Sequence, residues 1–274
     1  MAVLELLTIK IYNEDCIETM KRIPDGSIDL MLTDPPYNTT ACEWDVAINL
    51  SELWAEWERI LKPNGLWVFT TSQPFTSELI LSRKEFYKCE WIWDKALGGN
   101  SMTVKYMPYK IHENIIVFGR GKTTYNPIME KGINRLKNGK TRNKDNAFNV
   151  NGADYKINDE YYPQSILKIS NAQRTGRIHP TEKPIDLMRY LIKTYSNEGE
   201  TVFDGYSGSG SCALACIAEK RNFVGSELNK EYFELATKRI ETELLHLYRD
   251  WETDRKSTRL NSSHSGESRM PSSA

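Results

Sequence analysis

Short apolar runs alternate along the chain with segments whose apolar residues recur every three or four positions. The runs Thr8–Tyr12, Ile28–Thr33, Leu66–Thr70, Trp91–Trp93, Asn114–Phe118, Thr201–Asp204 and Asn222–Glu227 have the length and the β-branched or aromatic content of strands. Between the second and third runs, Ser51 can cap a helix whose Leu53, Trp54, Trp57, Ile60 and Leu61 share one face, and Lys62-Pro63-Asn64-Gly65 stops it. Pro184 opens another helix, carrying Leu187, Met188, Leu191 and Ile192. Strands alternating with helices predict an α/β fold, a mostly parallel seven-stranded sheet with helices on both faces. The aromatic residues of these helices are expected in its core.

Two stretches break the alternation. Residues 121–165 show no regular element of useful length, and an irregular insertion of that size in a compact domain is functional or disordered. After about Tyr248 the chain becomes rich in Ser and Arg and poor in aliphatic residues, so residues 249–274 are expected to be a disordered tail, with the wording of translated vector sequence. The domain is therefore placed at residues 1–248.

The 274 residues, 39% hydrophobic and 27% charged, suffice for one large domain and exclude a disordered polyelectrolyte. No apolar run approaches the roughly 20 residues needed to span a bilayer, and the N-terminus lacks the basic start of a secretory leader. Five cysteines without paired C-x-x-C spacing suggest reduced thiols and a cytoplasmic protein. The four histidines are scattered, so no metal site is expected. The net charge of -1 at first argues against nucleic acid as a partner. It hides an uneven distribution: -6 over residues 1–118, +7 over 119–183, -3 over 184–248 and +1 beyond. The basic stretch reads either as a solvated loop or as an arm that neutralises phosphates, with Tyr125 and Phe148 available for stacking.

Three motifs carry candidate chemistry. Thr33-Asp34-Pro35-Pro36-Tyr37 follows the second strand directly. The two prolines stiffen the backbone and remove donors, so a carboxylate and an aromatic ring project from a rigid turn at the carboxyl end of a strand, where α/β sheets bind ligands. Further on, Phe203-Asp204-Gly205-Tyr206-Ser207-Gly208-Ser209-Gly210-Ser211 makes a glycine turn between a strand and a small-residue helix. Glu227, at the end of the next strand, can hold ribose hydroxyls. The glycine turn lacks the third glycine of the dinucleotide fingerprint, since position 213 is alanine. The third motif, His179-Pro180-Thr181-Glu182-Lys183-Pro184, precedes the Pro184 helix. Cys212 and Cys216, four apart on the helix after the glycine turn, read as packing residues.

Together these motifs resemble the S-adenosylmethionine-dependent amino methyltransferases of DNA, the N-4/N-6 family, in the permuted β order with the catalytic motif first and the glycine motif last. The resemblance covers roughly residues 8–245 and implies a single Rossmann-like methyltransferase domain. It implies catalytic roles for Asp34, Pro35, Pro36 and Tyr37: the Asp34 carboxylate and the Pro35 carbonyl accept the hydrogens of the target amine, and Tyr37 stacks on the flipped base. Asp204, Gly205, Gly208 and Gly210 would shape the cofactor turn and Glu227 would hold the ribose. Asp15 and Cys16 would contact the adenine, and His179, Thr181 and Lys183 the methionine end, with Lys183 suited to its carboxylate. Gly205 stands where the family usually has proline, and Ser211 where it has threonine. The implied partner is double-stranded DNA, read by the 121–165 insertion. A homodimer and a companion restriction nuclease are compatible with the family but not implied by the residues. Adenine is favoured over cytosine as the target because the cytosine-N4 enzymes more often carry serine where Asp34 stands. A nicotinamide oxidoreductase fits the glycine turn and Glu227 but leaves the other two motifs unexplained. A non-catalytic DNA-binding module conflicts with the intact Asp-Pro-Pro-Tyr.

Overall fold

A computed structural model describes residues 7–37, 48–135, 158–171 and 182–264. Its strands are β1 (Ile9–Tyr12), β2 (Ile28–Thr33), β3 (Leu61–Thr71), β4 (Tyr87–Asp94), β5 (His112–Gly119), β6 (Glu130–Arg135), β7 (Asn158–Tyr161), β8 (Ile166–Lys168), β9 (Thr201–Asp204) and β10 (Asn222–Ser226). Eight of them form one sheet in the order β1-β10-β9-β2-β3-β5-β4-β8. Only β5 runs against the rest of this sheet. All seven expected runs are strands. The eighth, β8, has three residues and adds to the edge beside β4, too short to leave a periodic signal.

Period-two alternation assigns each strand a side for each residue. Leu30, Leu32, Leu66, Val68, Ile115, Val117 and Val202 face one core, with the helices α4 (Ile185–Tyr195), α5 (Ser211–Ala218) and α6 (Lys230–His264). Met31, Trp67, Phe69, Ile116, Phe118 and Phe203 face the other, with α1 (Cys16–Arg22), α2 (Leu50–Ile60) and α3 (Phe75–Ser82). The second core is aromatic. Trp54 meets Trp57, Trp67 and Phe118 edge to face, with ring centroids 5.1, 5.4 and 5.5 Å away, an arrangement the ring quadrupoles favour. Its indole N–H is satisfied by Ser82 Oγ at 2.8 Å.

Some boundaries differ from the periodicity. The cap of α2 is Asn49, whose side chain accepts from Glu52 N at 3.4 Å, not Ser51. Asn caps a helix as well as Ser does, and here it stands immediately before the first helical residue. Leu61 is not the last residue on the helix face. It opens β3 opposite Ile28, and after an irregularity at 62–65 the pairing resumes at Leu66 opposite Leu30. Gly65 permits that irregularity, because a Cβ there would lie 2.8 Å from the Asp29 carbonyl oxygen.

The 121–165 insertion contains regular structure that periodicity did not reveal: β6 and β7 pair antiparallel as a separate ribbon. Residues 136–157, including Phe148, lie outside the described residues. The tail expected to be disordered from residue 249 is helical as far as His264, as the last part of α6. Its Arg, Lys, Glu and Leu residues are good helix formers, and no Gly or Pro interrupts them before Gly266.

Candidate active site

β2 and β9 lie side by side in parallel, with Leu30 opposite Val202 and Met31 opposite Phe203. Strands 170 residues apart in sequence therefore end together. The connections leave in opposite directions at this point, toward β10 and β1 on one side and β3 on the other. Such a switch point opens a crevice at the carboxyl edge. The Asp34 turn leaves the end of β2 and the glycine turn leaves the end of β9. Thr33 Oγ1 donates to Asp204 Oδ1 across the junction at 2.7 Å.

A cavity of about 370 Å³ occupies the crevice, within the range of small-molecule sites. Asp15, Cys16, Asp34, Pro36, Lys183, Asp204, Gly205, Gly208 and Glu227 all line it, so most of the expected site residues come together. Pro35 is buried beside them, and Gly210 starts α5 with φ +82°. His179 and Thr181 lie outside the described residues.

The glycine turn has conformational reasons for its composition. Gly208 and Gly210 both have positive φ, +51° and +82°, where side chains are strained. A Cβ on Gly210 would also press on Ala236 Cβ at 3.1 Å. The Gly208 N–H donates to Glu227 Oε2 at 2.8 Å, and Glu227 Oε1 accepts from Asn229 N at 2.8 Å. Asp15 caps α1, accepting from Ile17 N at 2.8 Å. Cys16 Sγ donates to the Tyr206 hydroxyl at 3.4 Å, and burial raises its thiol to about 11, so it is a thiol rather than a nucleophile. Gly205 packs close to Cys16: a Cβ added at Gly205 would lie 3.1 Å from Cys16 Cβ.

Asp34 is surrounded by donors. Oδ1 accepts from the Tyr37 hydroxyl and from Thr70 Oγ1, and Oδ2 from Lys183 Nζ at 2.5 Å. Two expectations change here. Lys183, expected at a ligand carboxylate, is ion-paired with Asp34 and lies 3.4 Å from Glu113 Oε2. Burial alone would lower its ammonium pKa, but the two carboxylates outweigh burial and raise it. Tyr37, expected to stack on a flipped base, is half-buried. Its ring stacks on Phe75 with centroids 5.5 Å apart, and its hydroxyl donates to Asp34 and lies 2.9 Å from the Thr70 carbonyl. The strands force this: Thr70, on β3, neighbours the end of β2 and supplies acceptor and donor together.

Periodicity gave no reason to single out Glu113, Lys95, Thr33, Thr70 or Tyr206. Glu113 sits near the start of β5, paired with Lys95 at 2.8 Å and with Lys183. Burial pushes its carboxyl up, but the two lysines override this and hold it below the ordinary value. An alternating chain of charges, Asp34–Lys183–Glu113–Lys95, thus runs out of the cavity. A half-buried acid at a strand start near a half-buried lysine leaves no pattern in sequence, because its partners come from the residue after β4 and from the segment before α4. Asp204 is tied by neutral donors instead. Burial raises it to about 7, against the lowering effect of its bonds from Thr33 and Tyr206 N.

Chemically, the site offers the Asp34 carboxylate in the wall of a cavity also lined by the glycine turn and by Leu32, Ile48, Met188, Tyr206 and Tyr232. Glu14, Asp15, Asp34, Glu182, Asp204 and Glu227 line the cavity along with Lys183, a setting that favours a cationic ligand.

A family model described as DNA methylase matches residues 28–238. The type II methyltransferase M.HpaI of Haemophilus parainfluenzae is 28% identical over 247 residues, covering 84% of this chain and 73% of its own. The DNA adenine methyltransferase YhdJ of Escherichia coli (strain K12) is 26% identical over 249 residues, covering 84% and 82%. The crystal structure of an M1.HpyAVI–SAM complex superposes with TM-score 0.58 at 26% identity, covering 85% of this chain and 100% of that one. Among the described residues, no helix is long and apolar enough to cross a membrane.

Proposed function

Because the chain belongs to the DNA methylase family, we propose that it is a site-specific DNA adenine-N6 methyltransferase, transferring methyl from S-adenosylmethionine to the amino group of a flipped-out adenine. The observation that carries this reading is the shared wall: Asp34 lines the same cavity as the glycine turn, so an amine held at Asp34 faces a ligand held by the turn.

S-adenosylmethionine supplies an electrophilic methyl on a cationic sulfur, and the acidic lining suits that charge. Glu227 takes the ribose hydroxyls with a carboxylate already fixed by two backbone N–H groups. Asp15 and Cys16 border the adenine end. Gly205, Gly208 and Gly210 let the backbone approach, and Asp204 holds the turn to β2 through Thr33. His179 and Thr181 belong to the methionine end by resemblance. The carboxylate of Asp34 and the carbonyl of Pro35 accept the hydrogens of the target amine. They draw its lone pair out of ring conjugation and stabilise the positive charge that develops during attack. Holding amine, methyl and sulfur in line supplies the remaining proximity effect. To admit the amine, Asp34 releases one donor. Lys183 can move toward Glu113 and Tyr37 toward the Thr70 carbonyl, so no charge is stranded.

Aspartate at position 34, where cytosine-N4 enzymes more often have serine, favours adenine, as does the resemblance to a relative named as an adenine enzyme. The partner is double-stranded DNA, which places the enzyme in the cytoplasm. The type II relatives extend the proposal to a companion restriction nuclease. Methylation-sensitive sequencing of DNA from an expressing host is the test. N6-methyladenine at one short motif is expected. N4-methylcytosine would move the target to the alternative base, and no modification by the wild-type chain would overturn the reading.

A further inference from the structure

The connection between β4 and β5 is long. These strands are antiparallel neighbours, which a turn of two to five residues can join, yet residues 95–111 intervene. The loop is braced internally. Lys95 N donates to the Ile111 carbonyl at 2.8 Å, Lys110 N to Asn100 Oδ1 at 2.8 Å, and Tyr109 OH to the Gly98 carbonyl at 2.9 Å. Asn100 Nδ2 donates to the Pro108 carbonyl at 3.1 Å, and Tyr106 N to the Thr103 carbonyl at 2.9 Å.

While its polar groups turn inward, the loop presents apolar side chains to water. Met102 is 93% exposed and Tyr106 86%, with Leu97, Val104 and Met107 about half exposed around them. Five exposed large apolar side chains on one braced loop mark a surface that something covers. The charge of the loop states what. The loop contains no Asp or Glu; Lys95 is paired with Glu113 at its root, Lys110 is partly exposed and Lys105 exposed, which matches an anionic partner.

Its position is as informative as its composition. β4 runs in the same direction as β2, so the loop leaves the sheet at the edge where Asp34 sits. At its roots, Lys110 Nζ bonds Ser72 Oγ, two residues beyond the Thr70 that bonds Asp34, and Lys95 pairs with Glu113. Apolar tips flanked by lysines, beside the carboxylate that must receive an extrahelical base, are the features of a wedge. Apolar side chains inserted at a base step offset the unstacking that flipping requires, while the exposed Lys105 between them meets phosphate.

We propose that the 95–111 loop enters the DNA duplex at the target, with Met102 and Tyr106 occupying the space vacated by the flipped base. This rests on the methyltransferase reading above. The test uses the M102S/Y106S variant of the full chain, whose changes are exposed, and an oligonucleotide duplex bearing the mapped methylation site. On a normally paired target, single-turnover methylation should fall about 30-fold or more, with S-adenosylmethionine affinity and thermal midpoint unchanged. On the same duplex with the target opposite an abasic site, the variant should recover to within about threefold of wild type, because that base is already unpaired. An unimpaired variant on paired DNA would overturn the proposal, as would a defect that persists on the unpaired target. A change of sedimentation from dimer to monomer in the variant, with that defect tracking enzyme concentration, would assign the loop to a second copy of the chain instead. If the wild-type chain methylates neither duplex, the methyltransferase reading itself fails. A wild type that is active beside an unimpaired variant sinks only the wedge.

Discussion

β2 and β9 are adjacent, and each delivers an aspartate to the same cavity, but their surroundings make different groups of them. Asp34 sits one residue beyond β2, with two hydroxyl donors on one oxygen and an ammonium on the other. Asp204 closes β9, 5% exposed, with a hydroxyl and a backbone N–H as its neutral donors. Burial raises Asp204 to about 7, while Asp34 has Lys183 as its counter-ion, itself backed by Glu113 and Lys95. In the proposed reaction Asp34 would meet the target amine, and it already has an ammonium partner that it can exchange. A carboxylate that only ties two turns together can do without a counter-ion, because its hydrogen bonds serve whether or not it is ionised.

That contrast can be broken most forcefully at Asp34. Asp34→Ala should lower single-turnover methyl transfer by about a thousandfold or more, in the range found when a transition-state contact is removed. Calorimetry should find S-adenosylmethionine affinity within a few-fold of wild type. Full activity in this variant would remove the basis for the mechanism.

At Asp204 the expected effect is on stability and its pH dependence. A carboxyl raised from 3.8 to about 7 on folding keeps its proton in the folded state over a range where the unfolded chain has lost it. Its contribution to stability is therefore greatest below pH 4, declines as pH rises to 7, and is flat above. Asp204→Asn lacks that decline. The stability difference, variant minus wild type, should climb between pH 4 and 7 by up to about 1.4 kcal/mol per pH unit. Urea unfolding across that range checks it, and a pH-independent difference would show that Asp204 is not held protonated.

The charge chain behind Asp34 makes a smaller, sharper comparison. Glu113→Gln should keep cofactor affinity and reduce methyl transfer about tenfold, since Lys183 loses one of its two carboxylates. In a double-mutant cycle with Lys183→Met, the Glu113 change should add almost nothing, as expected for coupled neighbours. Simple additivity would make Glu113 a structural residue only.

The mildest test is in the glycine turn. Gly208→Ala meets nothing within 4 Å but must hold φ +51°, which costs an L-residue about 1 kcal/mol. Gly210→Ala adds a close contact with Ala236 to a similar strain and should cost more in thermal unfolding. Equal losses would show that Ala236 yields without cost.

Much of the fold was legible because periodicity and burial are the same physics. All seven expected runs became strands, and α2 and α4 buried the residues that their spacing placed on one face, Leu61 excepted. Legibility failed where the controlling forces were not periodic. The three-residue β8 exists because an edge accepts it, and the β6–β7 ribbon is a pairing between separated polar segments. The helical run to His264 has no apolar stripe in its sequence to announce it. Of the site, the motif residues were found because their chemistry is written in short strings. Glu113, Lys95 and Thr70 belong to no string, and Tyr37 and Lys183 were found but given different neighbours.

By itself the sequence determined the alternation of strands and helices and the identities of Asp34, Asp204, Glu227 and the glycines, because hydrophobic period and backbone stereochemistry are local properties of the chain. Only the tertiary structure decided that β9 lies against β2 rather than elsewhere in the sheet. Only it decided that a lysine from the segment before α4 reaches Asp34, that burial raises the carboxyl of the neighbouring Asp204, and that an apolar loop leaves the sheet at the same edge. These depend on which groups meet across 30 to 170 residues of chain and on how much water remains between them, and neither quantity exists until the sheet has closed over its two cores.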